Sequence, residues 1–320
     1  MTVLVTGANG LLGTNVINEL LRKGYKVYGY LRKKSSYKGI VNANLTLLEG
    51  NLPDVNGIFQ VLGDVDTIIH CAAITNQNLL QYSDYYDLNI KSVKHLVDIA
   101  IEQSVSKFIY VSTSNVFGNG KSGVSANESS KMRYPFSESF YALSKLEASR
   151  YLKTKESQIE VVTVNPTFMI GAYDTKPSSG RIVLMGLKNR IVFCPPGGKN
   201  FVCVEDVANG IISVLDNAVN GASYIIGSEN LSYTKFFKRL RVLCKRTFII
   251  VKLPRIVLLF FGRIGDTLRY FGVRTNLSTV NMKAVSINNY YSNRKALEEL
   301  RLTINPIEKG IEDAINWFKK

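Results

Sequence analysis

The feature that most constrains this chain is a glycine-rich turn near the N-terminus. The apolar run Val3–Val5 precedes three glycines at intervals of three, and apolar residues then recur at helical spacing over 16–21 before a second apolar run begins. This order predicts strand, turn, helix and strand, the setting in which a dinucleotide is bound. Gly7 permits the tight turn, Gly10 lets the backbone approach a pyrophosphate, and Gly13 lets the helix pack close to the strand. The helix N-terminus then offers N–H groups to the phosphates.

A second feature is a tyrosine and a lysine four residues apart in SESFYALSKLEASRYL. This stretch is predicted to be helical, so Tyr141 and Lys145 share one face. A free phenol has a pKa of about 10, and a neighbouring cation favours the phenolate and lowers that pKa. The pair therefore predicts a proton donor and acceptor, although the same spacing is common on ordinary amphipathic helices.

Taken together, the two features resemble the short-chain dehydrogenase/reductase superfamily. Its extended branch is indicated by the length of the chain and by further segments, and this branch includes epimerases, dehydratases, dihydroflavonol reductases and 3-beta-hydroxysteroid dehydrogenases. The segments occur in the family's order: TGANGLLG at 6–13, HCAA at 70–73, YVSTSNVFG at 110–118, YALSK at 141–145, VNPTFMIG at 164–171, FVCVEDVANGI at 201–211 and YYSNRKALEEL at 290–300.

The resemblance implies an α/β protein with a doubly wound parallel Rossmann sheet and a smaller, interleaved α/β substrate-binding lobe. We expect the Rossmann domain to contain residues 1–166 and about 201–220. The lobe is expected to contain about 167–200 and 221–320.

The resemblance also implies the catalytic roles. Thr113 would hydrogen-bond the substrate oxygen, Tyr141 would move the proton, and Lys145 would bind the nicotinamide ribose and lower the phenol pKa. Asn89 is implied in a backbone or proton-relay role. Ser112 and Ser114 are rivals of Thr113 for the hydroxyl role.

Cofactor contacts are implied at the glycine turn, at several predicted strand ends and on the catalytic helix. These residues are Gly7, Asn9, Gly10, Leu11, Leu12, Gly13, Arg32, Asn51, Leu52, Cys71, Ala72, Ala73, Tyr141, Lys145, Pro166 and Thr167. Asn51 stands where relatives often carry an aspartate near the adenine.

The second predicted strand bears on the choice of cofactor. NAD-preferring relatives carry an acidic residue at its end, whereas here the strand meets Arg32, Lys33 and Lys34 with no carboxylate nearby in sequence. A 2′-phosphate suits an arginine fork. We therefore expect NADP(H), with NAD(H) as the alternative.

Three functions remain open from the sequence. The first is an NADP(H)-dependent oxidoreductase that interconverts a carbonyl and a secondary alcohol, and the second is a nucleotide-sugar epimerase with tightly bound NAD, for which Arg181, Arg241 and Arg274 are candidate diphosphate contacts. The third is a non-catalytic NADP(H)-binding regulatory or scaffold protein. A dehydratase is disfavoured, because Ser114-Asn115 stands where dehydratases carry Asp-Glu, and neither side chain titrates.

Charge and composition limit the partners. The net charge of +15 favours anionic ligands, but the chain has no nucleic-acid motif, so specific nucleic-acid binding is not expected.

The arginine-rich apolar segment 252–274 is interpreted first as lobe core or as a lid over the substrate, and second as a helix on a membrane surface. A homodimer is an option because relatives commonly form dimers.

The four cysteines, Cys71, Cys194, Cys203 and Cys244, match no metal or redox spacing. Two histidines offer no convincing metal site, so no metal is expected. Reduced thiols and the lack of a recognisable signal peptide favour a cytoplasmic location.

Overall fold

A computed structural model describes residues 1–54, 56–119 and 124–320 of the chain. Its strands are β1 Thr2–Thr6, β2 Lys26–Leu31, β3 Leu45–Glu49, β4 Thr67–His70, β5 Lys107–Val111, β6 Glu160–Pro166, β7 Phe168–Ile170, β8 Ile191–Cys194, β9 Gly198–Cys203, β10 Ser223–Ile226, β11 Glu229–Ser232, β12 Ile249–Lys252 and β13 Asn288–Asn289.

Its α-helices are α1 Leu11–Arg22, α2 Asn56–Leu62, α3 Ser83–Tyr85, α4 Ser92–Glu102, α5 Phe140–Lys153, α6 Arg181–Lys188, α7 Val204–Asn217, α8 Tyr233–Leu243, α9 Arg255–Tyr270, α10 Thr279–Val285, α11 Arg294–Glu299 and α12 Ile307–Lys319. A π-helical turn, Tyr86–Lys91, joins α3 to α4. Short 3-10 turns lie at Lys34–Ser36, Ser114–Phe117 and Phe136–Glu138.

The main sheet has seven parallel strands in the order β10-β6-β5-β4-β1-β2-β3. Along the chain the sheet grows outward from β1 through β2 to β3, and then restarts on the other side of β1 with β4. This change of direction is the switch point at which open α/β sheets bind ligands beyond the carboxyl ends of their strands. The predicted doubly wound Rossmann sheet is confirmed.

Helices cover both faces of this sheet. Successive side chains of its central strands point to opposite faces, and the side chains on both faces are apolar and buried. Val3 and Val5 of β1 pack into a core with α1 and α7, whereas Leu4 faces a second core that includes α4 and α5. Both cores are continuous with neighbouring strands, so the carboxyl ends of β1, β4 and β5 are fixed relative to one another.

The smaller lobe is built around a separate sheet. In this sheet β9 lies between β11 and β13 and also pairs with β7. Strands β8 and β12 form a separate two-stranded parallel sheet. Helices α6, α8 and α12 pack on this sheet around a core that includes Phe201, Phe236 and Phe237. The predicted interleaving of a smaller α/β lobe with the Rossmann sheet is therefore present.

Two strands join a different sheet from the one that the expected domain bounds imply. Strand β10 pairs with β6 in the main sheet, although 221–320 was assigned to the lobe. Strand β9 belongs to the small sheet, although 201–203 was assigned to the Rossmann domain. Both strands are short apolar runs, and periodicity alone does not say which sheet such a run joins.

The segment 252–274 does not form lobe core. Helix α9 buries only Leu258, Gly262 and Gly265, and most of its large apolar side chains face solvent. The interpretation as core is therefore wrong for this helix, since amphipathic spacing cannot show which of two apolar faces meets the protein. Throughout the described part of the chain, no helix has both the length and the apolar character to cross a bilayer.

Candidate active site

The glycine turn between β1 and α1 leaves a bare backbone surface at the switch point. Gly7 has φ +68°, and a Cβ there would lie 2.8 Å from the backbone nitrogen of Ala72. A Cβ on Gly13 would lie 2.2 Å from the Gly7 carbonyl oxygen. The turn, the start of α1 and the end of β4 therefore approach one another through backbone atoms.

The start of α1 is suited to an anion. Helices α5 and α8 begin with serine caps, Ser139 and Ser232, whose hydroxyls accept from backbone N–H groups. Among the described residues no side chain caps α1, and its first turn, which includes Leu11 and Leu12, contains no acidic residue. Uncapped N–H groups and the helix dipole favour a phosphate at this position. The turn thus fits the pyrophosphate of a dinucleotide.

The end of β2 provides a basic and polar surface next to this turn. Arg32, Lys33 and Lys34 are exposed there, and Asn9 Nδ2 donates to Ser36 Oγ across 2.7 Å. However, Glu49 lies opposite Leu31 in the sheet, and its Oε2 accepts from the Lys34 backbone N–H at 2.8 Å. No carboxylate lies near Arg32 in the sequence, but the pairing of β3 with β2 brings Glu49 close to it in space.

Further predicted cofactor positions lie near the ends of β3 and β6, and Cys71, Ala72 and Ala73 directly follow β4. Asn51 is exposed directly after β3, and Leu52 is buried beside it. Pro166 ends β6, and Thr167 Oγ1 donates to Asn200 Oδ1 of β9 at 2.8 Å. Thr167 therefore links the main sheet to the smaller one.

Helix α5 presents the tyrosine and the lysine to the ends of β4 and β5. Ser139 caps this helix, so Tyr141 lies in its first turn and Lys145 one turn later. Thr113 lies beside the Tyr141 phenol and acts to lower its pKa, and Thr113 Oγ1 also accepts from the Asn115 backbone N–H at 3.3 Å. The rivals of Thr113 have other neighbours. Ser149 Oγ donates to Ser112 Oγ at 3.4 Å, and Ser114 lies beside Tyr291, whose hydroxyl donates to the Gly118 carbonyl at 2.6 Å.

The electrostatics of this pair differ from the expectation. Burial raises the pKa of Tyr141 to about 12, and the neighbouring Thr113 opposes that rise. Lys145 does not offset it, because burial lowers the pKa of this amine itself to about 7. The expected lowering of the phenol pKa is therefore not found: at neutral pH the phenol is protonated and poised as a donor.

Lys145 is held in a buried polar cluster that sequence reasoning missed. Its Nζ lies 4.3 Å from the centre of the Tyr110 ring, a cation–π contact, and it acts electrostatically on His70 and Cys71. His70 is fully buried and its Nδ1 lies 3.1 Å from Thr6 Oγ1. Burial lowers the pKa of His70 to about 3, so this imidazole is neutral.

The second missed contact concerns Asn89, which lies in the π-helical turn and not in a regular α-helix. Its Oδ1 accepts from Ile74 N at 2.7 Å, and its Nδ2 donates to Ile74 O and Ser144 Oγ at 3.1 and 3.0 Å. Ser144 Oγ in turn donates to the Tyr141 carbonyl. Asn89 thus ties the segment after β4 to the first turn of α5, where π-bulges often serve a site.

The low pKa of Lys145 predicts how the stability of the protein depends on pH. The native state favours the neutral amine, so the cost of burying the ammonium is fully present below about pH 7 and disappears as pH rises toward 10.5, the pKa of the free amine. We expect Lys145→Met to be more stable than the unaltered protein at about pH 6, with the difference shrinking by about pH 9. Thermal unfolding midpoints at both pH values measure this. Lys153→Met, at an exposed position of α5, is the control and should show no such trend; a Lys145→Met difference that stays constant with pH would contradict the argument.

Within the described residues no group of three or more histidine, cysteine or acidic side chains could hold a metal ion. The cysteines are free, with Cys71 half-buried and the others buried.

Comparison with known proteins agrees with this geometry. A model of the NAD-dependent epimerase/dehydratase family matches residues 3–227, which include the glycine turn, α5 and β10. The chain belongs to this family. It is therefore an NAD(P)-dependent enzyme of the oxidoreductase, epimerase and dehydratase type, and the predicted membership of the extended short-chain dehydrogenases/reductases is confirmed.

Two similar proteins match over nearly their whole length. A Synechocystis protein named "Putative dihydroflavonol 4-reductase" is 26% identical, covering 98% of this chain and 94% of its own. Sterol demethylase protein B of Methylococcus capsulatus is 23% identical, covering 100% and 99%. The solved structure of MoeE5 with UDP-glucuronic acid and NAD has a TM-score of 0.79 at 20% identity, covering 100% and 99%, and it shares the fold.

Proposed function

We propose that this family member is an NADP(H)-dependent oxidoreductase that interconverts a carbonyl and a secondary alcohol. The observation that carries the proposal is the placement of the Thr113 hydroxyl beside the Tyr141 phenol, with Lys145 one turn away on α5. A carbonyl oxygen placed against both hydroxyls would be polarised by Thr113 and protonated by Tyr141. The nicotinamide, when bound, supplies or accepts the hydride.

The protonation states support this assignment. Tyr141 holds its proton at neutral pH because its pKa is raised to about 12, so it suits the donor role in carbonyl reduction. Lys145, whose pKa is near 7, can exchange a proton with solvent or a ribose hydroxyl at the same pH. Asn89 is proposed as a positioning residue that holds the first turn of α5 in place.

The cofactor would lie across the switch point. We propose that the pyrophosphate binds at Gly7, Gly10 and Gly13, and that the nicotinamide end reaches Tyr141 and Lys145 past the backbone of Cys71–Ala73. The remaining contacts are proposed from Asn9, Leu11, Leu12, Asn51, Leu52, Pro166 and Thr167. We further propose a division into a Rossmann domain, which gains β10, and a substrate lobe, which gains β9.

A second candidate is an epimerase that keeps NAD bound. The observation that favours it is Glu49, a carboxylate opposite the end of β2 that could accept from a ribose 2′-hydroxyl. Net cofactor turnover separates the two candidates, because an epimerase returns the hydride to its substrate. A non-catalytic NADP(H)-binding role is less well supported, since both Tyr141 and Lys145 are present at one site.

The test begins by unfolding the purified protein and identifying released nucleotide by mass spectrometry. Absorbance at the reduced-nicotinamide band is then followed with a panel of ketones and aldehydes. An exchangeable cofactor and net NADPH oxidation are expected. Stoichiometric bound NAD with no net oxidation would support the epimerase and contradict the reductase.

Arg32 provides the prediction for cofactor choice. A guanidinium bound to a 2′-phosphate contributes a charge-assisted contact, so Arg32→Ala should weaken NADPH binding by about ten- to a hundredfold and NADH binding by much less. Titration calorimetry with both cofactors measures this. Lys23→Ala, at an exposed lysine beyond the other end of α1, is the matched control. Equal losses for both cofactors would contradict the phosphate assignment.

A further inference from the structure

The outward face of α9 is an apolar surface on the substrate lobe. Ile256, Phe260 and Ile264 follow one another at intervals of four residues, so they lie along one side of the helix. Ile256 is 76% exposed and Phe260 is 62% exposed. Exposed apolar and aromatic side chains continue along this helix and just beyond it at Phe261, Leu268, Tyr270, Phe271 and Val273.

This exposure is fixed by how the helix is anchored. A Cβ on Gly265 would lie 1.1 Å from the Leu277 carbonyl oxygen, so the helix meets the segment before α10 at backbone distance. Asp266 Oδ1 accepts from Thr279 N at 3.0 Å, which fixes the start of α10. The glycine side of α9 therefore faces the protein, and the phenylalanine side must face outward.

Basic side chains border the apolar surface. Lys252, Arg255, Arg263 and Arg274 are all exposed, and Asp266 is the single acidic residue of 252–274. Asp266 is already engaged with Thr279. The segment thus joins a row of large apolar side chains to an excess of positive charge, in a chain whose net charge is +15.

A second apolar surface directly precedes α9 in the chain. In the β8–β12 pair, Ile191 lies beside Ile249 and Phe193 beside Val251, and all four side chains are exposed. These positions alternate with buried ones along β8, so one face of the pair is left apolar and uncovered. Only Leu253 and Pro254 separate β12 from α9.

We propose that α9 docks this enzyme on an anionic lipid surface, with the helix lying in the interface plane. Aromatic and aliphatic side chains of the outward face would enter the boundary between headgroups and acyl chains, and the bordering arginines would meet the anionic headgroups. The helix is too short and too mixed in polarity to cross the bilayer.

The positive charge favours lipid over a second copy of the chain. A symmetric contact through α9 would bring Arg255 and Arg263 near the same residues of the other copy, and both copies carry +15. Like charges in such a contact are destabilising, whereas an anionic surface neutralises them. Docking would also bring the segment after β4 near the lipid, because α9 and α10 contact it: Arg269 bonds to the Leu79 carbonyl, and Asn281 Nδ2 donates to the Gln77 carbonyl at 3.3 Å.

The test is flotation of the full-length protein with two kinds of vesicle: phosphatidylcholine alone, and phosphatidylcholine mixed with phosphatidylglycerol in equal amounts. The unaltered chain should float with the anionic vesicles, and added salt should weaken this binding. The double variant Phe260→Ser, Phe271→Ser should bind the anionic vesicles at least about tenfold more weakly, since it removes two exposed aromatic rings that would enter the lipid. Because both side chains are exposed, folding should be unaffected, as thermal unfolding would show.

A matched variant distinguishes binding through α9 from non-specific binding through any exposed apolar side chain. Phe59→Ser with Val219→Ser removes a phenylalanine that is 47% exposed on α2 and a valine beyond α7, and it should float as the unaltered chain does. Binding to neither vesicle, or binding that the α9 variant does not weaken, would overturn the proposal. Self-association in light scattering that the α9 variant abolishes, without vesicle binding, would show a second copy to be the occupant and would also overturn it.

Discussion

Tyr141→Phe is expected to lower kcat for carbonyl reduction by about 10²–10⁴-fold, the usual contribution of a positioned proton donor. The substitution removes one hydroxyl and keeps the ring. It therefore deletes the phenol oxygen beside Thr113 and the transferable proton, while the packing of α5 is preserved. Steady-state rates of NADPH oxidation measure the effect once a carbonyl substrate has been found.

Cofactor binding should be nearly unchanged in this variant. The proposed pyrophosphate contacts lie at the glycine turn, and Lys145 stays in its contact with the Tyr110 ring. Titration with NADPH should thus separate loss of chemistry from loss of binding. A variant that binds the cofactor normally and has lost turnover fits a proton donor, whereas loss of both would indicate a disturbed fold.

Tyr151→Phe is the matched control on the same helix. Its hydroxyl donates to Asp98 Oδ2 at 2.7 Å, on the α4 side of α5 and away from Thr113. This substitution also removes one hydroxyl from a tyrosine of α5, so it should cost some stability and leave kcat close to that of the unaltered enzyme. If Tyr141→Phe keeps full activity, the acid/base assignment is wrong whatever the control shows.

The sequence predicted the elements that depend on local pattern. Three glycines between an apolar run and an amphipathic segment require a strand-turn-helix unit, and the structure has β1, the turn and α1 at that place. The segment with Tyr141 and Lys145 was predicted to be helical, and α5 covers both residues. The fold class followed because such a unit is stable only within a parallel sheet covered by helices.

Features that depend on contacts between distant segments could not be predicted. Glu49 reaches the basic end of β2 only because β3 pairs with it, and Tyr110 meets Lys145 only because β5 ends beneath α5. The sign of the pKa change at Tyr141 was also missed. Spacing along a helix shows that two groups share a face, but burial of the phenol is a property of the packed protein and outweighs the neighbouring amine.

Gly13→Ala should be the most damaging single-methyl substitution at the cofactor turn. The added Cβ would lie 2.2 Å from the Gly7 carbonyl oxygen and 2.9 Å from its carbon, and both are backbone atoms that cannot rotate away. The turn and the start of α1 must therefore separate, at a cost of about 1–3 kcal/mol in the free energy of unfolding. Denaturant unfolding without added nucleotide measures this cost, and NADPH affinity should fall with it because the pyrophosphate site is displaced.

Substitutions at two further glycines test whether the cofactor binds at this turn. Gly63→Ala, where no atom lies within 4 Å of the added Cβ, should leave both stability and NADPH affinity unchanged. At Gly10 the nearest atom to an added Cβ is the Gly7 carbonyl oxygen at 3.2 Å, a tight contact but 1.0 Å longer than the one at Gly13, so Gly10→Ala should lose less stability than Gly13→Ala. If the Gly10 backbone is the surface that a pyrophosphate approaches, this variant must still lose NADPH affinity, because its methyl group points into the space that the phosphate needs. A larger loss of stability at Gly13, with a loss of affinity at Gly10 that exceeds its loss of stability, would place the cofactor over the turn. Full NADPH affinity in Gly10→Ala would show that it binds elsewhere.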